Sequence, residues 1–190
     1  MKTKNLVIAL ALTVALTVVA LNVWASSGRQ GTVPTVPREF SFALSSTCDP
    51  LPAGQDIGIG TVALCGSGEA KIELKTFEEL KNAGQDYSPV EGWQYLTPDA
   101  IIITAAGAQQ GEVCVPFVPE WKDKKANETI GWYWWNAKLR EKDPNANAWV
   151  ALETTIKEDT TPSLICGKFA VDKPEGFTFE QPVILSLQGK

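Results

Sequence analysis

The chain has 190 residues, of which 44% are hydrophobic and 21% charged, with 17 basic and 22 acidic side chains, four cysteines and no histidine. That length suits one domain with a true core, and the composition excludes a disordered or collagen-like chain. Without imidazole there is no Ser-His-Asp or Cys-His pair and no His-ligated zinc, copper or haem.

Lys2 and Lys4 precede an apolar run from Leu6 to Leu21, and Val23-Trp24-Ala25 followed by Ser26-Ser27 supplies small or compact residues for a signal peptidase. This is the pattern of a signal peptide over residues 1–25. Residues 5–24 are also just long enough to stay in a bilayer as a signal anchor, so retention remains an alternative to cleavage. Cleavage removes two lysines and no acid, leaving about 165 residues with 15 bases against 22 acids, a net charge of −7. An acidic domain lacks the clustered Lys and Arg that phosphate binding needs. The basic cluster Lys122, Lys124 and Lys125 reads as a solvated loop. No nucleic-acid partner is expected, and a membrane is involved only through the export signal.

Residues 26–38 read as an extended leader, because Pro34 and Pro37 cannot both be accommodated in a strand paired on each side. The domain over residues 39–190 opens with a period of two: Phe40, Phe42 and Leu44 on one face, Ser41, Ala43 and Ser45 on the other. Asp49-Pro50-Leu51-Pro52-Ala53-Gly54 is a turn region. Strands are predicted over 57–64, 70–75, 101–105, 112–118, 129–135, 149–157, 163–171 and 177–187. Thr76-Phe77-Glu78-Glu79 has the spacing of a capping box and starts one short helix that ends near Gly84. The segment 137–142 holds helix formers but is short for a helix. These elements predict an all-β fold, an antiparallel two-sheet sandwich of jelly-roll or immunoglobulin-like type with one short helix.

Cys48, Cys65, Cys114 and Cys166 form an even set in an exported chain, which predicts two disulfides. Three pairings are open. Cys48–Cys65 is favoured because it closes a short loop rich in Gly, Pro and Asp, leaving Cys114–Cys166 to tie two later strands. No CxxC and no histidine are present for a metal, so neither metal nor cofactor is expected.

The segment Ile130-Gly131-Trp132-Tyr133-Trp134-Trp135 concentrates aromatic surface on one strand. Flat aromatic faces match the apolar faces of pyranose rings, so Trp132, Trp134 and Trp135 are candidates for a carbohydrate-binding surface. The plainer alternative is that they fill the core or a subunit contact. Glycoside hydrolysis needs only two carboxylates, but Glu141-Lys142-Asp143-Pro144 lacks the further acid of a catalytic strand, and no enzyme is expected. Asp143-x-Asn145-x-Asn147 has the opening spacing of a calcium loop, yet Pro144, Ala148 and Thr154 break the pattern, which fits an Asx-rich turn better. Asn127-Glu128-Thr129 is a glycosylation sequon and predicts an exposed loop beside the aromatic strand.

An export signal, an extended leader, the alternating Phe40-Ser41-Phe42-Ala43-Leu44-Ser45 segment and a terminal strand through Pro182-Val183-Ile184-Leu185-Ser186-Leu187 occur together. In this arrangement the chain resembles TasA/camelysin-type matrix fibre proteins and archaeal bundling-pilus and thread-filament subunits. The resemblance implies that the N-terminal strand of one subunit completes the sheet of the next. Phe40, Phe42 and Leu44 would then be the donor-strand residues. The expected function is a secreted structural subunit of an extracellular filament or biofilm-matrix fibre, with copies of itself as head-to-tail partners. The alternative is a secreted carbohydrate-binding module with a polysaccharide partner. Residues 39–46 as the first strand of a self-contained sandwich fit the same pattern.

Overall fold

Alternation along the strands sorts side chains onto two faces, and the sheets follow from it. The computed structural model describes residues 38–85 and 87–190. The signal segment and residues 26–37 of the leader lie outside the described residues. The larger, seven-stranded sheet runs β1 (Glu39–Ala43), β4 (Glu69–Thr76), β6 (Asp99–Thr104), β12 (Val183–Gly189), β8 (Ile130–Trp135) and β9 (Trp149–Ala151). β5 (Gln94–Tyr95) adds to β12. The five-stranded sheet runs β10 (Glu153–Lys157), β11 (Leu164–Ala170), β7 (Ala108–Pro116), β3 (Thr61–Gly66) and β2 (Gln55–Asp56). Every pairing between these strands is antiparallel. The fold is an all-β two-sheet sandwich, as the alternation predicts.

β4 shows how the pattern works. Ala70, Ile72 and Leu74 are buried, while Lys71 and Lys75 face outward with Glu73 between them. Facing sets from the two sheets meet in one core: Ile72, Ile101, Ile103, Leu185, Trp132 and Trp134 from the larger sheet, Val62, Leu64, Val113, Val115, Ile165 and Phe169 from the smaller. Apolar area removed from water there contributes roughly 25 cal/mol per Å² and dominates the favourable side of folding.

Trp132 joins the layers. It is 1% exposed, and its indole nitrogen donates across the core to the Ile165 carbonyl at 3.2 Å. Its side chain crowds Gly167 of β11, where an added Cβ would come within 2.6 Å of Trp132 Cβ and Cγ. Glycine is required at 167 because this close approach leaves no room for a side chain. The backbone of Trp132 is held at the corner where the chain passes from β9 into β10. Its N–H donates to Thr154 Oγ1 at 2.9 Å, and its carbonyl accepts from Leu152 at 2.8 Å.

Both disulfides are formed, in the favoured pairing. Cys114 and Cys166 sit directly opposite on β7 and β11 with Cα atoms 4.1 Å apart, and Cys48–Cys65 staples the proline-rich turn region to the end of β3. Each contributes about 2–4 kcal/mol by restricting the unfolded chain.

The helices differ from expectation in number. α1 (Phe77–Asn82) begins with the predicted capping box: Thr76 Oγ1 accepts from the Glu79 N–H at 3.0 Å, and Glu79 Oε2 accepts from the Thr76 N–H at 2.7 Å. The Thr76 N–H, and after it the Thr76 hydroxyl donating to the same Oε2 at 3.0 Å, hold the Glu79 carboxyl below its ordinary pKa. A second helix, α2 (Ala137–Lys142), forms because Asn136 caps it, its Oδ1 accepting from Leu139. A 3₁₀ turn spans Pro119–Trp121. The predicted last strand is shorter than 177–187, since Pro182 has no N–H for the ladder and β12 starts at Val183. Phe177 and Phe179 nonetheless enter the core from the preceding loop.

Candidate functional site

Two regions carry the residues singled out by the sequence: the edge strand β1 and the outer face of the larger sheet. β1 lies at the margin of its sheet and pairs only with β4, in the register Phe40↔Ile72 and Phe42↔Ala70. Phe40, Phe42 and Leu44 are half-buried and pack on the core of their own chain. On the outer face, Lys71 bridges Glu39 at 3.4 Å and Glu73 at 2.8 Å, and Lys75 reaches Glu73 at 3.2 Å. The Lys71 bond, then that of Lys75, lowers the Glu73 pKa. Arg38 anchors the strand's start, its guanidinium donating to the Leu74 carbonyl at 3.0 Å, to Glu79 at 3.0 Å and to Asp99 at 2.9 Å. This clamp was not read from the sequence; its signal is a lone arginine directly before an alternating run.

The tryptophan strand divides its aromatics between the two faces. Trp132 and Trp134 are 1% and 4% exposed and belong to the core, so neither is a surface residue as expected. Ile130 shares their face, and only that face of β8 meets the opposite sheet. Trp135 is half-buried on the outer face with Tyr133, in register with Trp149 and Ala151.

That outer face is largely roofed by the chain between Tyr87 and Leu96. Gln188, fully buried, accepts from the Val90 N–H at 2.9 Å and donates to Ser186 Oγ at 2.8 Å. Trp149 Nε1 donates to the Ser88 carbonyl at 2.9 Å, and Asn147 Nδ2 to the Pro89 carbonyl at 3.0 Å. Aromatic rings interlock beneath: Phe77 stacks on Tyr95 at 3.5 Å, and Trp93 meets Tyr133 edge-on at 5.4 Å. Tyr87 meets Trp135 edge-on at 4.8 Å. Burial raises the pKa of both the Tyr87 and Tyr133 hydroxyls. An open platform of coplanar rings is therefore not what β8 builds.

Asn127 lies on the exposed loop that the sequon predicts, with φ of 63°. Its carboxamide is engaged. Nδ2 donates to the Thr154 carbonyl at 2.8 Å, and Oδ1 accepts from the Thr154 N–H at 3.1 Å. A glycan on Nδ2 has to displace the first of these bonds in the folded chain. Asn127→Gly keeps the left-handed backbone and removes the clamp, and is expected to cost about 1–3 kcal/mol in urea unfolding; an unchanged midpoint would show that the clamp contributes nothing.

The Asx turn reading holds at 143–149. Asp143 Oδ1 accepts from Asn145 at 2.9 Å and Asn147 Oδ1 from Trp149 at 3.0 Å. Glu112 lies with Cys114 and Cys166 in a group of metal-ligand types, but both sulfurs are in a disulfide and offer no thiolate. In the basic cluster, Lys124 donates to the Lys190 carbonyl and Lys125 reaches Glu128 at 4.0 Å. Among the described residues no helix is long and apolar enough to cross a membrane.

No protein-family model matches the chain, nor does any curated protein or solved structure.

Proposed function

We propose that this protein is a secreted structural subunit of an extracellular filament, in which β1 is exchanged between neighbouring copies. The observation that carries the reading is the placement of β1. It is a five-residue edge strand paired on one side, and it precedes Cys48, so neither disulfide ties it down. Its hold on the domain combines one ladder, three half-buried apolar side chains, the Arg38 clamp at its start, the backbone bonds of Leu44 and Ser45 to Gly68 and Gly66 just beyond its end, and ion pairs on the outer face of low worth. The same strand from a second copy makes identical contacts, so exchange costs little at equilibrium and a head-to-tail contact that does not close builds a fibre. The two disulfides fit an oxidising compartment, and the N-terminal export pattern supports secretion.

Negative-stain microscopy of the purified protein tests this. Ordered filaments are expected from the parent chain, and soluble monomer after deletion of residues 26–46. Ordered filaments that persist after the deletion would refute strand exchange.

A further inference from the structure

Two clefts meet at Trp135. One is lined by Tyr87, Trp134, Asn136, Lys138, Thr178 and Gln181 among others, the second by Ser88, Arg140, Asn145 and Asn147, and Trp135 forms a wall of both. The chain as a whole has 22 acidic against 17 basic side chains, yet among the described residues neither lining includes a carboxylate, and each includes one cation. Lys138 is exposed at the first cleft. Arg140 stands over Trp135, 6.0 Å from the ring, and its Nη1 donates to the Ala146 carbonyl at 3.0 Å, which fixes it at the second. Trp135 itself is held edge-on by Tyr87 at 4.8 Å and Trp149 at 5.2 Å, so its half-buried ring is a rigid partner.

We propose that the two clefts are adjacent subsites for an acidic polysaccharide, a chain of uronate-bearing pyranose rings laid across Trp135. The C–H faces of the sugars meet Trp135 and Tyr87, and Lys138 and Arg140 each take one ring carboxylate. Charge selects this class. A neutral glycan leaves both cations unused, and a densely charged nucleic acid is repelled by the acidic remainder of the chain. One cation per cleft matches one carboxylate per ring. The site lies on β8, α2 and the loop before β12, away from β1, so it stands independently of filament assembly.

The test is calorimetric and fluorescence titration of the purified protein with oligogalacturonate, beside neutral dextran and polyglutamate. Saturable binding of oligogalacturonate alone is expected. Arg140→Gln and Lys138→Gln should each weaken it about tenfold, the worth of one charge-assisted hydrogen bond. Trp135→Ala should abolish the fluorescence response, and Lys168→Gln on the other sheet should change nothing. Absence of binding, equal binding of dextran or polyglutamate, or unaltered binding by the Arg140 and Lys138 variants would each overturn the proposal. The latter two substitute side chains on the surface of α2, so they decide the matter even if Trp135→Ala misfolds.

Discussion

Trp132→Ala is expected to destabilise the domain by about 3–5 kcal/mol, the upper range for truncating a buried aromatic. Three losses coincide at this residue. The largest fully buried side chain disappears from the centre of the core. The Ile165 carbonyl loses its indole donor in a place where water does not replace it. The space the side chain fills over Gly167 becomes a void, because the β11 backbone is held in register by β7 and β10 and cannot move in to fill it. In chemical unfolding the midpoint should fall with little change in slope, and the melting temperature should drop by about 6–20 °C for a domain of this size. Gly167→Ala approaches the same joint from the other side and should also destabilise. Its Cβ meets atoms fixed near the Trp132 backbone and not a flexible side-chain tip. A loss below about 1 kcal/mol for Trp132→Ala would mean that the layers pack without this link.

Local chemistry explains which parts of this fold can be read from the chain. The capping box at Thr76 and Glu79 is written in four consecutive residues, and α1 follows it. The alternation of Ala70, Ile72 and Leu74 needs no distant information to assign a buried face. For the disulfides, loop composition favours Cys48–Cys65 among three open pairings, and it is the folded chain that selects that one. The tryptophan strand is different. Period two states that Trp132 and Trp134 share a face, but which face meets the opposite sheet depends on Gly167, thirty-five residues further on, leaving room for the Trp132 indole. The apolar Ile130 in phase with them was the available clue. α2 shows the same limit, because its helix formers are too few alone and Asn136 supplies the cap that completes it.

The candidate sites divide in the same way. Phe40, Phe42 and Leu44 are legible as one face, whereas the edge position of β1 is set by the order of strands in the sheet, a property of the whole chain. The clefts at Trp135 are further from sequence reading still. Tyr87, Lys138, Arg140 and Gln181 come together only because a loop folds over the outer face and α2 and the segment before β12 close its end. No motif spacing records such a meeting.

A covalent lock on β1 gives the sharpest test of its role. Ser41 and Lys71 are direct partners in the β1–β4 ladder, and both are exposed on the outer face. Opposed residues on antiparallel strands lie within disulfide range, as the cross-strand Cys114–Cys166 bridge of this chain already demonstrates. Losing Lys71 removes ion pairs to Glu39 and Glu73 on the outer face, which solvent screens and which contribute little. The Ser41→Cys, Lys71→Cys double variant should therefore fold. Oxidised as monomer, it holds β1 on its own domain and should form no filaments. Opening the new bridge with mild reductant should restore assembly, since Cys65, Cys114 and Cys166 are buried and their bridges are less accessible than one on the exposed outer face. Oxidised after assembly, the same pair should join neighbours and give a ladder of covalent oligomers on a non-reducing gel. Filaments from the locked monomer would rule out exchange of β1. Filaments that give only intramolecular bridges would place β1 in its own subunit within the fibre. Because strand and slot are unchanged in all three states, the difference between them reports only which chain supplies the strand.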